Sequence, residues 1–286
     1  MQTGRTAVRH LIGIVFFVEL SFLTFPAAAQ QLEITFLANE GFHLTAGNSS
    51  LLIDSLFGDG ITGYTSVPRP VRDDLEAARP PFDSVDLILT SHFHRDHFNA
   101  RVVADFLSTS PATWFVSTHQ AVAAVRATPS APSDLAPRTR GFWPNEGKEK
   151  QLRVGDVSLR IFHLDHGPGT ENLGLLIEVC GLTVLHIGDT ESGASGLIRA
   201  GLEGIKPDVA LLPSWYLRSD ELAEAVRTVI QPKSIIAMHM PSVDAPPNYF
   251  FGGTRNLQGL TRAIHDHFPN ALVPEATGDS TSISCR

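Results

Sequence analysis

The sequence predicts an α/β protein, and three observations lead to this prediction. Apolar, strand-like runs alternate along the chain with segments of helical periodicity. The chain has 286 residues, of which 43% are hydrophobic, and this is enough for one domain with a sizeable core. Short clusters of histidine and aspartate directly follow several apolar runs. In open α/β sheets, functional sites gather beyond the carboxyl ends of the strands.

The first 29 residues have the pattern of a secretory signal peptide. Arg5 and Arg9 precede an apolar run, and small residues up to Ala29 form a cleavage site. The run spans about 15 residues, shorter than the roughly 20 that a membrane helix needs. We expect residues 1–29 to be removed, leaving one domain over residues 30–286. The mature protein would be exported, periplasmic or secreted, and not inserted in a membrane, with an uncleaved anchor as the alternative.

The remaining elements follow in order along the chain. The predicted strands near the amino terminus are 32–37, 42–45 and 51–54. A proline- and glycine-containing stretch over 57–81 is too long for an ordinary connection, so we expect a functional loop or a short helix around 72–79. Further helices are predicted at 100–107, 118–126, 194–200, 220–230 and 256–267. Interleaved strands are predicted to end at 89, 117, 189, 213 and 239. The segment 127–150 is expected to be a surface excursion.

The densest group of metal-ligating side chains is the segment His92-Phe-His94-Arg-Asp96-His97, which follows the apolar run 85–89. His92 and His94 are two residues apart, so on an extended segment both point the same way and can bind one metal ion. Four such groups exceed what one open catalytic zinc takes from a single loop, which suggests two neighbouring metal ions. An exposed histidine-rich turn is the alternative.

Three later motifs supply what a dinuclear site would still need. They are Asp165-His166-Gly167, Gly188-Asp189-Thr190 and His239, and each follows an apolar, strand-like run. Together with the segment from His92 to His97, these motifs make four groups that would emerge from strand ends onto one edge of the fold.

The order of these motifs resembles that of the metallo-β-lactamase superfamily, and the likeness extends back to the strand 50–54. The resemblance implies a four-layer αββα sandwich. It also implies that one metal ion is held by His92, His94 and His166, that a second is held by Asp96, His97 and His239, and that Asp189 bridges the two. The stretches 34–41, 81–86 and 171–174 look most similar to the branch that includes the ascorbate-phosphate lactonase-like hydrolases.

Two further histidines lie near the predicted ligands. His163 is three residues before His166 and is the alternative ligand in that segment. His166 is favoured because Gly167-Pro-Gly169 follows it, as in a loop that leaves a strand. His186 is three residues before Asp189, so along a strand the two side chains would face opposite sides, and we expect a structural role for it.

The chemistry expected of such a centre is hydrolysis, because two divalent ions lower the pKa of a shared water. Zinc is the expected metal, with manganese or iron as alternatives, and Asp96 is expected to orient the nucleophile or carry its proton. The substrate would be a small ester, lactone, amide or phosphoester. An iron-dependent redox or thioester-acting relative and a metal-containing binding protein without turnover are the alternatives. Candidate substrate contacts, each of which could instead be packing or surface charge, are Tyr64, Trp215, Tyr216, Arg218, Asn248, Tyr249 and Arg255.

The net charge limits the class of substrate, and the cysteine content bears on a possible disulfide. The formal net charge is −8, and no run of basic residues stands out, so we expect a small-molecule substrate and no nucleic acid. The two cysteines, Cys180 and Cys285, could form a disulfide in an exported protein or stay as two free thiols. No oligomeric state is predicted.

Overall fold

A computed structural model describes residues 30–242 and 257–286. Within these residues two mixed β-sheets pack face to face, and helices cover their outer faces. This arrangement confirms the predicted α/β class and the αββα layering. The predicted signal peptide, residues 1–29, lies outside the described residues. None of the helices within the described ranges is long and apolar enough to cross a membrane.

The first sheet has seven strands in the spatial order β13-β1-β2-β3-β4-β5-β6. Strands β1 to β3 form an antiparallel meander, and β3 to β6 run parallel. Strand β4 is buried at every residue, as expected for a parallel strand covered on both faces. The bounds are β1 Gln31–Ala38, β2 Gly41–Ala46, β3 Ser49–Ile53, β4 Leu87–Leu89, β5 Trp114–Thr118, β6 Thr139–Phe142 and β13 Ser280–Ser284.

The second sheet has six strands in the spatial order β12-β11-β10-β9-β8-β7. Strands β7 to β10 pair antiparallel, whereas β10, β11 and β12 run parallel. Their bounds are β7 Lys150–Val154, β8 Val157–His163, β9 Leu173–Val179, β10 Leu182–His186, β11 Val209–Pro213 and β12 Ser234–Met238. The inner faces of the two sheets share one apolar core.

Seven α-helices flank the sheets in the described ranges. Asn99 caps α2 and Thr118 caps α3, each accepting hydrogen bonds from backbone N–H groups of the first turn. A 3₁₀ turn lies at Ala136–Arg138, and a π-helical segment, Val226–Ile230, continues α6. The bounds are α1 Arg69–Glu76, α2 Ala100–Thr109, α3 His119–Arg126, α4 Ala194–Arg199, α5 Ser214–Arg218, α6 Asp220–Ala225 and α7 Leu257–His267.

Two features of the structure correct a sequence expectation or decide between two of them. The segment 127–150 is not purely a surface excursion, because β6 within it pairs with β5 and extends the first sheet. Cys180 and Cys285 form a disulfide, with Cα atoms 5.3 Å apart. It joins the β9–β10 turn to the end of β13, so it links the two sheets covalently.

Candidate metal centre

The loop after β4 supplies a first group of three imidazole nitrogens. Nε2 of His92 lies 3.0 Å from Nδ1 of His94, and Nε2 of His166 lies 3.2 Å from the same Nδ1. His92 and His94 lie two residues apart in the irregular segment that follows β4. His166 comes from the loop after β8, 72 residues further along the chain.

A second group lies beside the first and uses the other end of the same loop. Oδ2 of Asp96 is 3.7 Å from Nε2 of His97 and 3.5 Å from Nε2 of His239. His239 directly follows β12 and has a positive φ of 55°. Its backbone N–H donates to the carbonyl of Asn39, whose side-chain amide donates to the Asp96 carbonyl. Asn39 thus connects the two segments that carry these ligands.

Asp189 joins the two groups through a single oxygen. Its Oδ2 lies 3.8 Å from Nε2 of both His92 and His166, 3.4 Å from Nε2 of His97 and 3.3 Å from Nε2 of His239. Every donor atom in either group lies within 4.8 Å of the others in that group. All seven predicted ligands are therefore close together, with Asp189 between the two sets.

The spacing of these atoms fits metal coordination. Ligands at zinc bond lengths of about 2.0–2.1 Å in tetrahedral geometry are about 3.3–3.4 Å apart, close to the separations found here. Nε2 of His97 is buried and has no hydrogen-bond partner among the described residues. A metal ion facing this nitrogen would give it a partner. The donor set, five imidazoles and two carboxylates, suits zinc, manganese or iron.

The turn that carries Asp189 depends on a glycine. Gly188 has a φ of +56°, and a Cβ there would lie 2.1 Å from Oδ1 of Asn172. That oxygen accepts the backbone N–H of Asp189, while the Asn172 amide donates to the carbonyls of Leu164 and Ile187. Asn172 therefore ties the end of β10 to the loop that carries His166.

The structure also separates His166 from His163. Nδ1 of His163 bonds the carbonyl of Pro144 at 3.0 Å, its Nε2 faces Asp165 at 3.1 Å, and its ring packs on Trp143. His163 thus has a structural role, and the imidazole that reaches the cluster is that of His166.

A buried polar layer lies beneath the ligands. Asp54, at the end of β3, accepts hydrogen bonds from the Ser91 backbone, the Ser91 hydroxyl and Nδ1 of His97. Because the Ser91 hydroxyl donates to Asp54, it accepts the Nδ1 proton of His92 at 3.0 Å. In both histidines the proton therefore sits on Nδ1, which leaves Nε2 unprotonated and able to bind a metal.

Two residues of this layer, Glu40 and His186, were not predicted as part of the site. Glu40 occupies the β1–β2 turn and is completely buried, with Oε2 3.5 Å from Nδ1 of His97. A charged residue in a tight turn is usually exposed, so the sequence carries no signal of this burial. His186 ends β10 outside both ligand groups, as the parity of the strand predicted.

Burial and nearby charges shift the pKa values of histidines in the two ligand groups in opposite directions. Burial lowers the pKa of His92 and His94, and neighbouring histidines lower it further. Burial also acts to lower the pKa of His97 and His239, but the charge of Asp189 and the hydrogen bonds to neighbouring carboxylates together outweigh burial and raise the pKa of both. Burial acts to raise the pKa of Asp96. The hydrogen bond with His239 and the charge of His97 outweigh this effect, so the pKa of Asp96 is lowered. The second group therefore holds protons more tightly than the first.

A cavity of about 580 Å³ opens onto the two groups. Tyr64, Trp215 and Arg218, three of the predicted substrate contacts, line it together with Arg95 and Glu191. The rings of Tyr64 and Trp215 lie 4.3 and 4.9 Å from that of His239. The indole N–H of Trp215 donates to the Thr190 carbonyl, which fixes the ring beside the cluster.

The prediction that Tyr216 contacts substrate is wrong. Its side chain is fully buried, and its hydroxyl donates to the carbonyl of Ser192. Successive residues of the short helix α5 point to different sides, so Trp215 faces the cavity and Tyr216 the core. Asn248, Tyr249 and Arg255 lie outside the described residues.

Comparison with known proteins agrees with this geometry. The family model described as "Beta-lactamase superfamily domain" matches residues 50–245. The chain is 29% identical over 234 residues to a UPF0173 metal-dependent hydrolase from Polynucleobacter asymbioticus, covering 76% of this chain and 78% of that protein. It is 28% identical over 240 residues to a UPF0173 metal-dependent hydrolase from Pyrococcus furiosus, covering 77% and 90%.

Among solved structures, Igni18, a metallo hydrolase from Ignicoccus hospitalis, has a similar fold. The TM-score is 0.60 at 17% sequence identity, and the match covers 90% of this chain and all of that one. At this identity the likeness concerns the fold. The narrower resemblance to ascorbate-phosphate lactonase-like hydrolases stays a prediction.

Proposed function

This chain belongs to the beta-lactamase superfamily, and we propose that it is an exported hydrolase that holds two divalent metal ions and cleaves a small substrate. The relatives described above carry the name metal-dependent hydrolase. The scissile group would be an ester, lactone, amide or phosphoester.

The observation that carries the dinuclear proposal is the position of Asp189. Its Oδ2 faces two histidines of the first group at 3.8 Å and two of the second at 3.3 and 3.4 Å. One carboxylate oxygen between two sets of donors is the arrangement in which a ligand bridges two cations. A closed structural zinc site would need only four ligands, whereas seven are assembled here beside an open cavity.

Two divalent ions in this cluster would supply an acidified water and polarise the substrate oxygen on which charge develops. His92, His94 and His166 would hold the first ion, and Asp96, His97 and His239 the second. Asp96 is at the cavity surface, and the lowered pKa of its carboxyl keeps it ionised near neutral pH. An ionised carboxylate beside the nucleophile can orient it and accept its proton.

The cavity wall supports a small substrate. Its volume of about 580 Å³ lies within the range of small-molecule sites. Tyr64 and Trp215 offer aromatic faces next to His239, and Arg95 and Arg218 supply positive charge at the same opening. The net charge of −8 disfavours an extended nucleic acid backbone.

Export is supported by two independent features. The first 29 residues have the pattern of a signal peptide, and the Cys180–Cys285 disulfide is a bond that persists in oxidising compartments. Expression with the complete leader and amino-terminal sequencing of the secreted or periplasmic product would test this part. A mature chain that begins at Gln30 is the expected result, and a chain that keeps its leader in the membrane fraction would contradict it.

The first experiment is metal analysis of protein expressed from Gln30 onward, with Asp189→Ala beside it. Two zinc or manganese ions per chain, and a lower content in the variant, are the expected result. Two iron ions would instead favour the redox relative, and no bound metal would overturn the proposal. A panel of esters, lactones, β-lactams and phosphodiesters would then define the reaction, and no turnover on any of them would favour a binding protein.

A further inference from the structure

Glu40 is an unusual residue to find beneath a metal centre. It lies in the turn between β1 and β2, yet its side chain has no solvent exposure. Neither of its carboxylate oxygens has a hydrogen-bond partner among the described residues. Buried polar groups are nearly always paired, so an unpaired carboxyl group requires an explanation.

The surroundings of Glu40 supply one. Oε2 lies 3.5 Å from Nδ1 of His97 and 3.7 Å from Nε2 of His186. The carboxyl group therefore lies directly behind His97, a ligand of the second metal group, and beside His186.

His186 connects Glu40 to the turn that carries Asp189. Nδ1 of His186 accepts the backbone N–H of Gly188 at 3.1 Å. A neutral imidazole that accepts through Nδ1 carries its proton on Nε2. That Nε2 is buried, lacks a hydrogen-bond partner among the described residues, and lies 3.7 Å from both Glu40 Oε2 and Asp54 Oδ2.

We propose that Glu40 and His186 act together as positioning residues for the second metal ion. Glu40 lies against Nδ1 of His97, the ring nitrogen that faces away from the metal centre. His186 links Glu40 to the Gly188–Asp189 turn. The pair would thus hold His97 and Asp189 at a set distance from each other. This inference rests on the proposed function, because it assigns a role within the same dinuclear centre.

A third metal ion in this layer is the competing explanation. Glu40, Asp54 and His97 place three donor atoms within 4.8 Å of one another. However, the oxygens of Asp54 already accept three hydrogen bonds, one of them from Nδ1 of His97 at 2.9 Å. A cation there would have to break that bond and remove the proton from His97. The contacts therefore favour positioning over a third site.

The test is competition with a chromophoric zinc chelator, which gives two dissociation constants for the wild-type protein expressed from Gln30. The variants are Glu40→Leu, His186→Leu, His186→Asn and the double variant with leucine at both positions. Asparagine at position 186 can still accept from Gly188 but is too short to reach Glu40. His43→Leu is the matched control, because His43 is also a buried histidine but bonds Ser50 in the neighbouring strand.

We expect the Glu40 and His186 variants to raise the second dissociation constant by about 10- to 100-fold, the usual effect of removing a group that supports a metal ligand. The first constant should stay within about threefold, and His43→Leu should change neither. If the two residues act as a pair, the double variant should lose little more zinc affinity at the second site than the single variant with the larger loss. At limiting metal, kcat should fall while KM stays unchanged, and excess metal should restore kcat.

The results that would overturn the positioning role can be distinguished from one another. Two unchanged dissociation constants in all variants, or an equal loss at both sites together with a lower melting temperature of the metal-free protein, would overturn the positioning role. A third zinc ion that is lost in Glu40→Leu would overturn it in favour of the third site. If Glu40→Leu does not fold, His186→Asn decides on its own. Wild-type protein with fewer than two ions would defeat the proposed dinuclear function, and the inference with it.

Discussion

Asp54 accepts a hydrogen bond of 2.9 Å from Nδ1 of His97 and thereby holds the opposite ring nitrogen towards the metal centre. The two residues are 43 positions apart in the chain and both are fully buried. The bond fixes the tautomer and the orientation of the imidazole, and a carboxylate in this position increases the basicity of a metal-binding histidine.

Asp54→Asn should therefore weaken metal binding by about 10- to 100-fold, because an amide in place of the carboxylate cannot accept equally from His97 and Ser91. The measurement is zinc affinity by chelator competition. Asp86→Asn is the control, since Asp86 also accepts a backbone N–H, that of Ser50, but at the start of β3, whereas Asp54 follows the end of that strand. Equal losses of affinity in both variants would contradict a specific role for Asp54.

Metal binding should depend on pH differently at the two groups. Protons compete with metal for histidine nitrogens, and the carboxylates raise the pKa of His97 and His239, whereas burial lowers that of His92 and His94. As pH falls, the second group becomes protonated first. The second ion should thus be lost at higher pH, with affinity falling about tenfold per pH unit for each proton displaced.

Zinc titrations between pH 8 and pH 5 would measure this order. The expected result is a chain that passes from two bound ions to one before it loses the last. Simultaneous loss of both ions, or earlier loss of the ion held by His92, His94 and His166, would be incompatible with the electrostatic division described here.

Gly188→Ala should abolish most metal binding. A Cβ at this position would meet Asn172 Oδ1 at 2.1 Å, so the turn carrying Asp189 must move. Gly155→Ala is a close control because Gly155 has the same φ of +56° with nothing within 4 Å. Both variants should lose about 1 kcal/mol of stability from backbone strain, measured by urea denaturation of the metal-free protein. Only Gly188→Ala should lose metal, and normal metal content in that variant would contradict the prediction.

Removing the disulfide should reduce stability without changing the metal centre. Cys180 and Cys285 are 105 residues apart, and closing a loop of this size stabilises a protein by about 4–5 kcal/mol in the chain-entropy model. The bond lies at the start of β10, whereas Asp189 follows the end of that strand. Urea denaturation of the double serine variant gives the free energy of unfolding, and metal analysis serves as the control. An unchanged free energy would show that the tail contributes nothing through this bond.

Asp208 should stabilise the fold at neutral pH but not in strong acid. Burial acts to raise its pKa, but hydrogen bonds from Lys233 and Thr183 outweigh this effect and lower the pKa to about 2. A depressed pKa in the folded state means that the contribution is complete above the unfolded pKa of about 3.9. It is lost as pH falls towards 2.

Asp208→Asn should accordingly lower the free energy of unfolding at pH 7 and have little effect at pH 2. Asp156→Asn is a suitable control, since the Asp156 side chain is 88% exposed. If the two variants show the same dependence on pH, the network around Asp208 does not stabilise the protein.

The sequence by itself determined the types of ligand and their placement at strand ends. His92 and His94 are two residues apart, and this spacing sets their common direction through local backbone geometry alone. Likewise, an apolar run followed by Gly188-Asp189 or by His239 marks where a buried strand stops. Such features depend on neighbours in the chain, so they can be predicted without knowing the fold.

Only the tertiary structure decided which distant groups support those ligands. The burial of Glu40, the bond between Asp54 and His97, and the pairing of Cys180 with Cys285 all arise when the sheets close on each other. The opposite roles of Trp215 and Tyr216 also depend on which side of α5 packs against the core. Burial and long-range contacts are properties of the assembled layers, and no local pattern of residues specifies them.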